Sequence, residues 1–114
     1  MANLYDRLEQ QIPRWREQLQ DLARNHGDKV ISEVTVAQAL GGARGVKSMV
    51  CDTSEVPPDK GLMIRGTPLA ELTDRTAEDI FYLLITGDLP DDAAREHLRA
   101  ELARRAVVPD YVWQ

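Results

Sequence analysis

Few residues of this 114-residue chain have side chains suited to chemistry near neutral pH. His26 and His97 are the two that can exchange a proton there without a large pKa shift. His26 stands between Asn25 and Gly27 at the end of a helical pattern, where the helix dipole favours a protonated imidazole, so capping is its expected role. His97 is flanked by Glu96 and Arg99 on a charged helix face and reads as a solvated side chain. Cys51, the single cysteine, has Asp52 beside it and no adjacent histidine, which favours a buried structural thiol over a nucleophile. The Asp91-Asp92 pair is better suited to capping a helix than to acid–base work. No His, Cys, Asp or Glu cluster has metal-ligand spacing. Neither a catalytic residue nor a metal ligand is assigned.

A different chemistry, anion binding, is open to the run from Gly41 to Gly66. Its first part, Gly41-Gly42-Ala43-Arg44-Gly45-Val46-Lys47, places two cations in a glycine-flanked turn where backbone amides could join them. The run lacks the Gly-Lys-Ser/Thr ending of a P-loop and the three-glycine dinucleotide pattern, so the plain alternative is a helix stop followed by a solvated basic turn. The stretch from Thr35 to Ser48 also has a loose helix-turn-helix appearance. Gly45 and the β-branched Val46 and Val50 weaken its second helix, and a net charge of −5 disfavours DNA.

The elements that must position these residues are mostly helical. Asn3 to His26 carries Leu4, Leu8, Ile12, Trp15, Leu19 and Leu22 as one stripe that should pack on something, with Asn3 as cap and Gly27 as stop. Pro13 predicts a kink or a junction of two helices there. Val30 to Val34 reads as extended, and Thr35 caps a short helix from Val36 to Leu40. A hairpin is expected from Met49–Thr53 and Leu62–Arg65 around a Pro57–Gly61 turn. Thr67-Pro68 reads as the start of a short helix with Leu69 and Leu72 buried. Thr76 caps a helix to Thr86 whose run from Ile80 to Ile85 is apolar almost all round, which predicts burial, and Gly87 ends it. A last helix runs from Asp92 to Arg105, with Leu98 and Leu102 as its apolar positions. It is followed by an apolar tail from Val107 to Gln114 that expects cover from another piece of protein. The domain reading is a single segment, 1–114: a long helix over 1–27, a short helix, glycine-rich turn and hairpin over 30–66, and helices over 67–114.

Composition narrows the class. The chain is 43% hydrophobic and 29% charged, has room for one modest core, and contains no apolar run of membrane-spanning length. One cysteine and an N-terminus without an apolar leader core fit a reducing cytoplasm. Neither nucleic acid nor membrane is expected as a partner.

The order of motifs resembles the early part of citrate synthases, in the long form typical of eukaryotes and some bacteria. Carrying the resemblance are Ile12-Pro13 within the first helix, His26-Gly27 at its end, and Val34-Thr35-Val36 before the Gly-Gly-x-Arg-Gly-x-Lys run. Asp52-Thr53-Ser54, the Pro-x-x-Gly turn and Ile64-Arg65-Gly66 follow in the family's order, then Phe81 to Pro90 and Arg104 to Pro109. The resemblance implies a mainly α fold, here its N-terminal helical segment with a small β-hairpin, incomplete without a partner chain. It implies condensation of acetyl-CoA with oxaloacetate to citrate and CoA, in which an aspartate removes a methyl proton and two histidines support the enol and the oxaloacetate carbonyl. Methylcitrate synthases and citrate-cleaving relatives share parts of the pattern.

Neither His26 nor His97 matches those catalytic motifs. The resemblance does carry over Arg44, as a residue near the CoA phosphates, with Lys47 as a weaker phosphate contact. Arg65 is expected to be structural. The expected function is therefore a non-catalytic N-terminal subunit or segment, not active alone, completed by a second polypeptide and working as a dimer. Acetyl-CoA enters as a substrate of the complete enzyme, and no cofactor is expected. The alternative is a stand-alone interaction or helix-turn-helix DNA-binding module.

Overall fold

The computed structural model describes residues 3–47 and 49–113. Met1, Ala2, Ser48 and Gln114 lie outside the described residues. With them go the first two residues, the serine ending the helix-turn-helix-like stretch and the last residue of the apolar tail. The chain is mainly helical with one small antiparallel sheet. It divides into two compact units, one formed by residues up to Pro13 together with those from Asp52 onward, the other by Arg14–Cys51.

In the first unit the core is built where the start of α1 (Leu4–His26) meets α3 (Ala77–Thr86) and α4 (Asp92–Arg105). Leu4, Tyr82, Ala94 and Leu98 form the buried cluster, with Leu8 and Ile85 packed against it. Asn3 caps α1, its Oδ1 accepting from the Asp6 amide at 3.0 Å while its own amide donates to Asp6 at 3.2 Å. Polar contacts reinforce the packing: Arg7 is paired with Asp88, and Gln11 Nε2 donates to the Thr86 carbonyl at 3.0 Å.

The helix α3 starts in a full capping box. Thr76 Oγ1 accepts from the Asp79 amide at 3.3 Å, and the Asp79 carboxylate accepts from the Thr76 amide at 3.0 Å. The expectation that α3 is apolar and buried all round needs correction. Leu83 is 1% exposed and Tyr82 5%, but Phe81 is 42% and Leu84 38% exposed. Only one face of α3 is covered by α1 and α4, because a helix of 3.6 residues per turn cannot turn every side chain toward the same neighbours. On α4 the same division appears, Leu98 being buried and Leu102 45% exposed. Asp91 caps α4, accepting from the Ala94 amide at 2.8 Å, while Asp92 takes Arg95 Nη2 at 2.7 Å.

The sheet has three short strands in the order β1 (Ser54–Glu55), β2 (Met63–Ile64), β3 (Thr67–Pro68). The Pro57–Gly61 turn forms as expected, with the Lys60 and Gly61 amides donating to the Pro57 carbonyl at 3.2 and 3.0 Å. The first strand, however, is Ser54–Glu55 and not Met49–Thr53. Counting back from the turn explains the shift: Glu55 falls opposite Met63 and Ser54 opposite Ile64. Thr53 still accepts from the Arg65 amide at 2.9 Å, after which the ladder ends and Met49 and Val50 stand 82% and 81% exposed.

Thr67-Pro68 is likewise a strand and not a helix start. It pairs with β2 at the sheet edge, where a proline without an N–H is tolerated. A 3₁₀ helix, Leu69–Glu71, follows, leaving Leu72 buried at 4% and Leu69 exposed at 45%. The tail from Val107 includes a second 3₁₀ helix, Asp110–Trp113, with Tyr111 and Trp113 each 76% exposed.

The second unit takes up α1 at Arg14; Leu4–His26 is one helix with Pro13 inside it, so Pro13 does not mark a junction of two helices. Proline removes one donor, and the neighbouring turns keep theirs. Leu19 and Leu22 are exposed here, as is Ile12 in the first unit, so only the first part of the predicted stripe lies in the core. Val30–Val34 forms no strand: with no ladder partner, Val30, Ile31 and Val34 remain 82%, 69% and 54% exposed. The helix α2 (Val36–Leu40) has the predicted bounds and a Thr35–Gln38 capping box.

Candidate functional site

The turn that carries Arg44 and Lys47 follows directly from the way α2 stops. Gln38 amide donates to Thr35 Oγ1 at 3.2 Å and Thr35 amide to Gln38 Oε1 at 3.0 Å, which fixes where the helix begins. At the other end Gly41 N–H still reaches the Ala37 carbonyl at 2.9 Å, and Ala43 N–H reaches Gln38 at 2.7 Å. The chain then passes through positive φ at Gly42 (79°), Ala43 (58°) and Gly45 (77°). A last turn bond runs from Val46 N–H to the Ala43 carbonyl at 3.1 Å. Arg44 and Lys47, three residues apart on this turn, are both exposed. What the arrangement offers is two exposed cations on a tightly wound backbone.

The second helix required by a helix-turn-helix is not found among the described residues. Residues 43–47 and 49–50 are turn and irregular chain, and the next helical element after α2 begins at Leu69. Three positive φ values within four residues are incompatible with a helix there.

The other residues singled out by chemistry are scattered. His26 is exposed in the last turn of α1, its carbonyl accepting from the Lys29 amide at 3.1 Å. His97 is exposed on α4, at the rim of an apolar groove formed with Leu4, Tyr5, Phe81 and Leu102. Across that groove Arg105 lies over the Tyr5 ring, 5.4 Å from its centre. Cys51 is exposed, which corrects the buried-thiol expectation: the strand that would have covered it starts three residues later, at Ser54. Among the described residues no group of three His, Cys, Asp or Glu side chains could hold a metal ion.

Arg65 has the structural surroundings expected of it. Its side chain is only 14% exposed, is paired with the Asp52 carboxylate, and lies 3.4 Å from the Asp52 carbonyl. Its own φ is 49° and that of Gly66 is 80°, the double positive-φ pattern of a two-residue hairpin turn between Ile64 and Thr67. The sequence signal for this turn was faint, because Asn-Gly or Asp-Gly is its usual marker and arginine rarely takes the first position.

The electrostatics of the first unit were also hidden from sequence. Asp79 is 1% exposed and receives Arg95 Nη1 at 3.4 Å. Arg99 bridges Glu78 at 3.3 Å and Glu96 at 2.9 Å. The Arg99 hydrogen bond, helped by the Glu78 amide and by Thr76, holds the Glu78 carboxyl down at about 2. Around Glu101, Arg104 and Arg105 close at 2.7 and 3.2 Å, and the Arg104 hydrogen bond holds its carboxyl below the ordinary range. These ion pairs tie α3 to α4 and stiffen the end of α4. None faces a site.

A family model described as "Citrate synthase, C-terminal domain" matches residues 42–114, beginning within the glycine turn and including Arg44, Lys47, the hairpin, α3 and α4. The chain belongs to the citrate synthase family. Its citrate synthase relatives include the mitochondrial enzyme of Saccharomyces cerevisiae, 36% identical over 97% of this chain and 25% of that protein. The mitochondrial 2-methylcitrate synthase of Yarrowia lipolytica is 34% identical over 96% of this chain and 26% of its own length. The mitochondrial citrate synthase of Aspergillus niger is 33% identical, again over 96% of the chain and 25% of the relative. The chain thus spans about a quarter of the length of the citrate synthases it matches. The matched model bears the name of the family's C-terminal domain, although the motif order reads as an early part of the family sequence.

Proposed function

We propose that these 114 residues act as a non-reacting, N-terminal segment of a citrate synthase, and that Arg44 and Lys47 hold the phosphates of CoA. The observation that carries the reading is the turn after α2, where two exposed cations sit on a backbone wound through positive φ within a stretch the family model matches. The condensation joins the methyl carbon of acetyl-CoA to the carbonyl carbon of oxaloacetate, and hydrolysis then releases citrate and CoA. Acetyl-CoA is a substrate here, and no cofactor is invoked. The proton-moving groups of that reaction come from a second polypeptide that completes the enzyme. Support for this division comes from His26 and His97, which are both solvent-exposed and match no catalytic motif of the family.

The same polypeptide would cover the apolar side chains left open, among them Phe81, Leu84, Tyr111 and Trp113. Exposed apolar groups of this size are costly to leave in water, at roughly 25 cal/mol per Å². The completed enzyme would be a dimer, located in the cytoplasm, whereas the three relatives are named as mitochondrial.

The test is an assay of CoA release with acetyl-CoA and oxaloacetate. The chain alone should give no turnover above background, and adding the completing polypeptide should restore it. In the restored enzyme Arg44→Ala should raise KM for acetyl-CoA about tenfold, the loss of one charge-assisted phosphate contact worth about 1.5 kcal/mol, with KM for oxaloacetate unchanged. Turnover by the chain alone would overturn the non-reacting role, and equal changes in both KM values would overturn the phosphate role of Arg44. A rival reading, a stand-alone interaction module, draws on the same exposed apolar side chains. It expects stable binding to proteins outside the citrate synthase family and no gain of activity on mixing.

A further inference from the structure

We draw no further inference here: the strongest candidate, the apolar groove where Leu4, Tyr5, Phe81, Leu98 and Leu102 of α1, α3 and α4 meet, is an unpartnered face, and nothing in the structure shows what covers it.

Discussion

The guanidinium of Arg65 packs against Gly87, with Nη2 3.0 Å and Nε 3.5 Å from the place a Cβ on that glycine would occupy. Gly87 closes α3 with φ 83°, its amide donating to the Leu83 carbonyl at 2.8 Å. Arg65 is anchored from its other side by Asp52 and sits in the β2–β3 turn. One side chain therefore links the sheet to the C-terminal end of α3, where a cation is also favoured by the helix dipole.

Replacing Gly87 by alanine should destabilise the chain by about 1–2 kcal/mol, the cost of a left-handed residue with a side chain. Gly66→Ala is the control, since Gly66 has φ 80° but open space around its missing Cβ. The two variants should differ by the cost of displacing Arg65, and Arg65→Ala in the Gly87→Ala background should remove that difference. Urea unfolding midpoints of the four proteins decide it. Identical losses at both glycines would mean the Arg65 contact contributes nothing.

Asp79 is nearly solvent-free and serves two partners, the Thr76 amide and Arg95. Asp79→Ala leaves the Thr76 amide without its acceptor and removes one carboxylate partner of Arg95, which keeps Asp92, a loss of about 1–3 kcal/mol. Asp79→Asn keeps an oxygen for the Thr76 amide and should lose less. If both substitutions cost the same in denaturant titration, the cap contributes little and the charge pair carries the effect.

Glu78 gives a pH dependence whose sign follows from its pairing with Arg99. Its carboxyl is lowered from an ordinary 4.5 to about 2 in the folded chain. The stabilisation is therefore present above pH 4.5 and lost as pH falls from there toward about 2. Wild type should be more stable than Glu78→Gln at pH 6, with the gap closing over that interval. The same gap should narrow in high salt, because both groups are partly open to solvent. A gap unchanged from pH 6 to pH 2 would rule out the pairing as its source.

The one-sided burial of α3 separates two adjacent leucines. Leu83→Ala should cost about 2–5 kcal/mol, and Leu84→Ala about 1 kcal/mol or less, in the chain by itself. Binding of the proposed completing polypeptide should depend on Leu84 and not further on Leu83. Comparable losses at both positions in the isolated chain would contradict the exposed face.

What the sequence determined by itself was the capped starts of the helices. Thr35, Thr76 and Asp91 each cap a helix by reaching an amide three residues on, so the starts of α2, α3 and α4 were legible from neighbours alone. The motif order likewise carried the family. Tertiary structure alone decided the register of β1, the left-handed Arg65, the burial of Asp79 and the exposure of Cys51, Phe81 and Leu84. Each of these depends on what lies opposite. A ladder ends where its partner strand ends, and a helix face is buried only where another element covers it. For the candidate site the division is the same: residue types marked Arg44 and Lys47 as cations in a turn, while the path through Gly42, Ala43 and Gly45 that exposes them appears only once the backbone is wound.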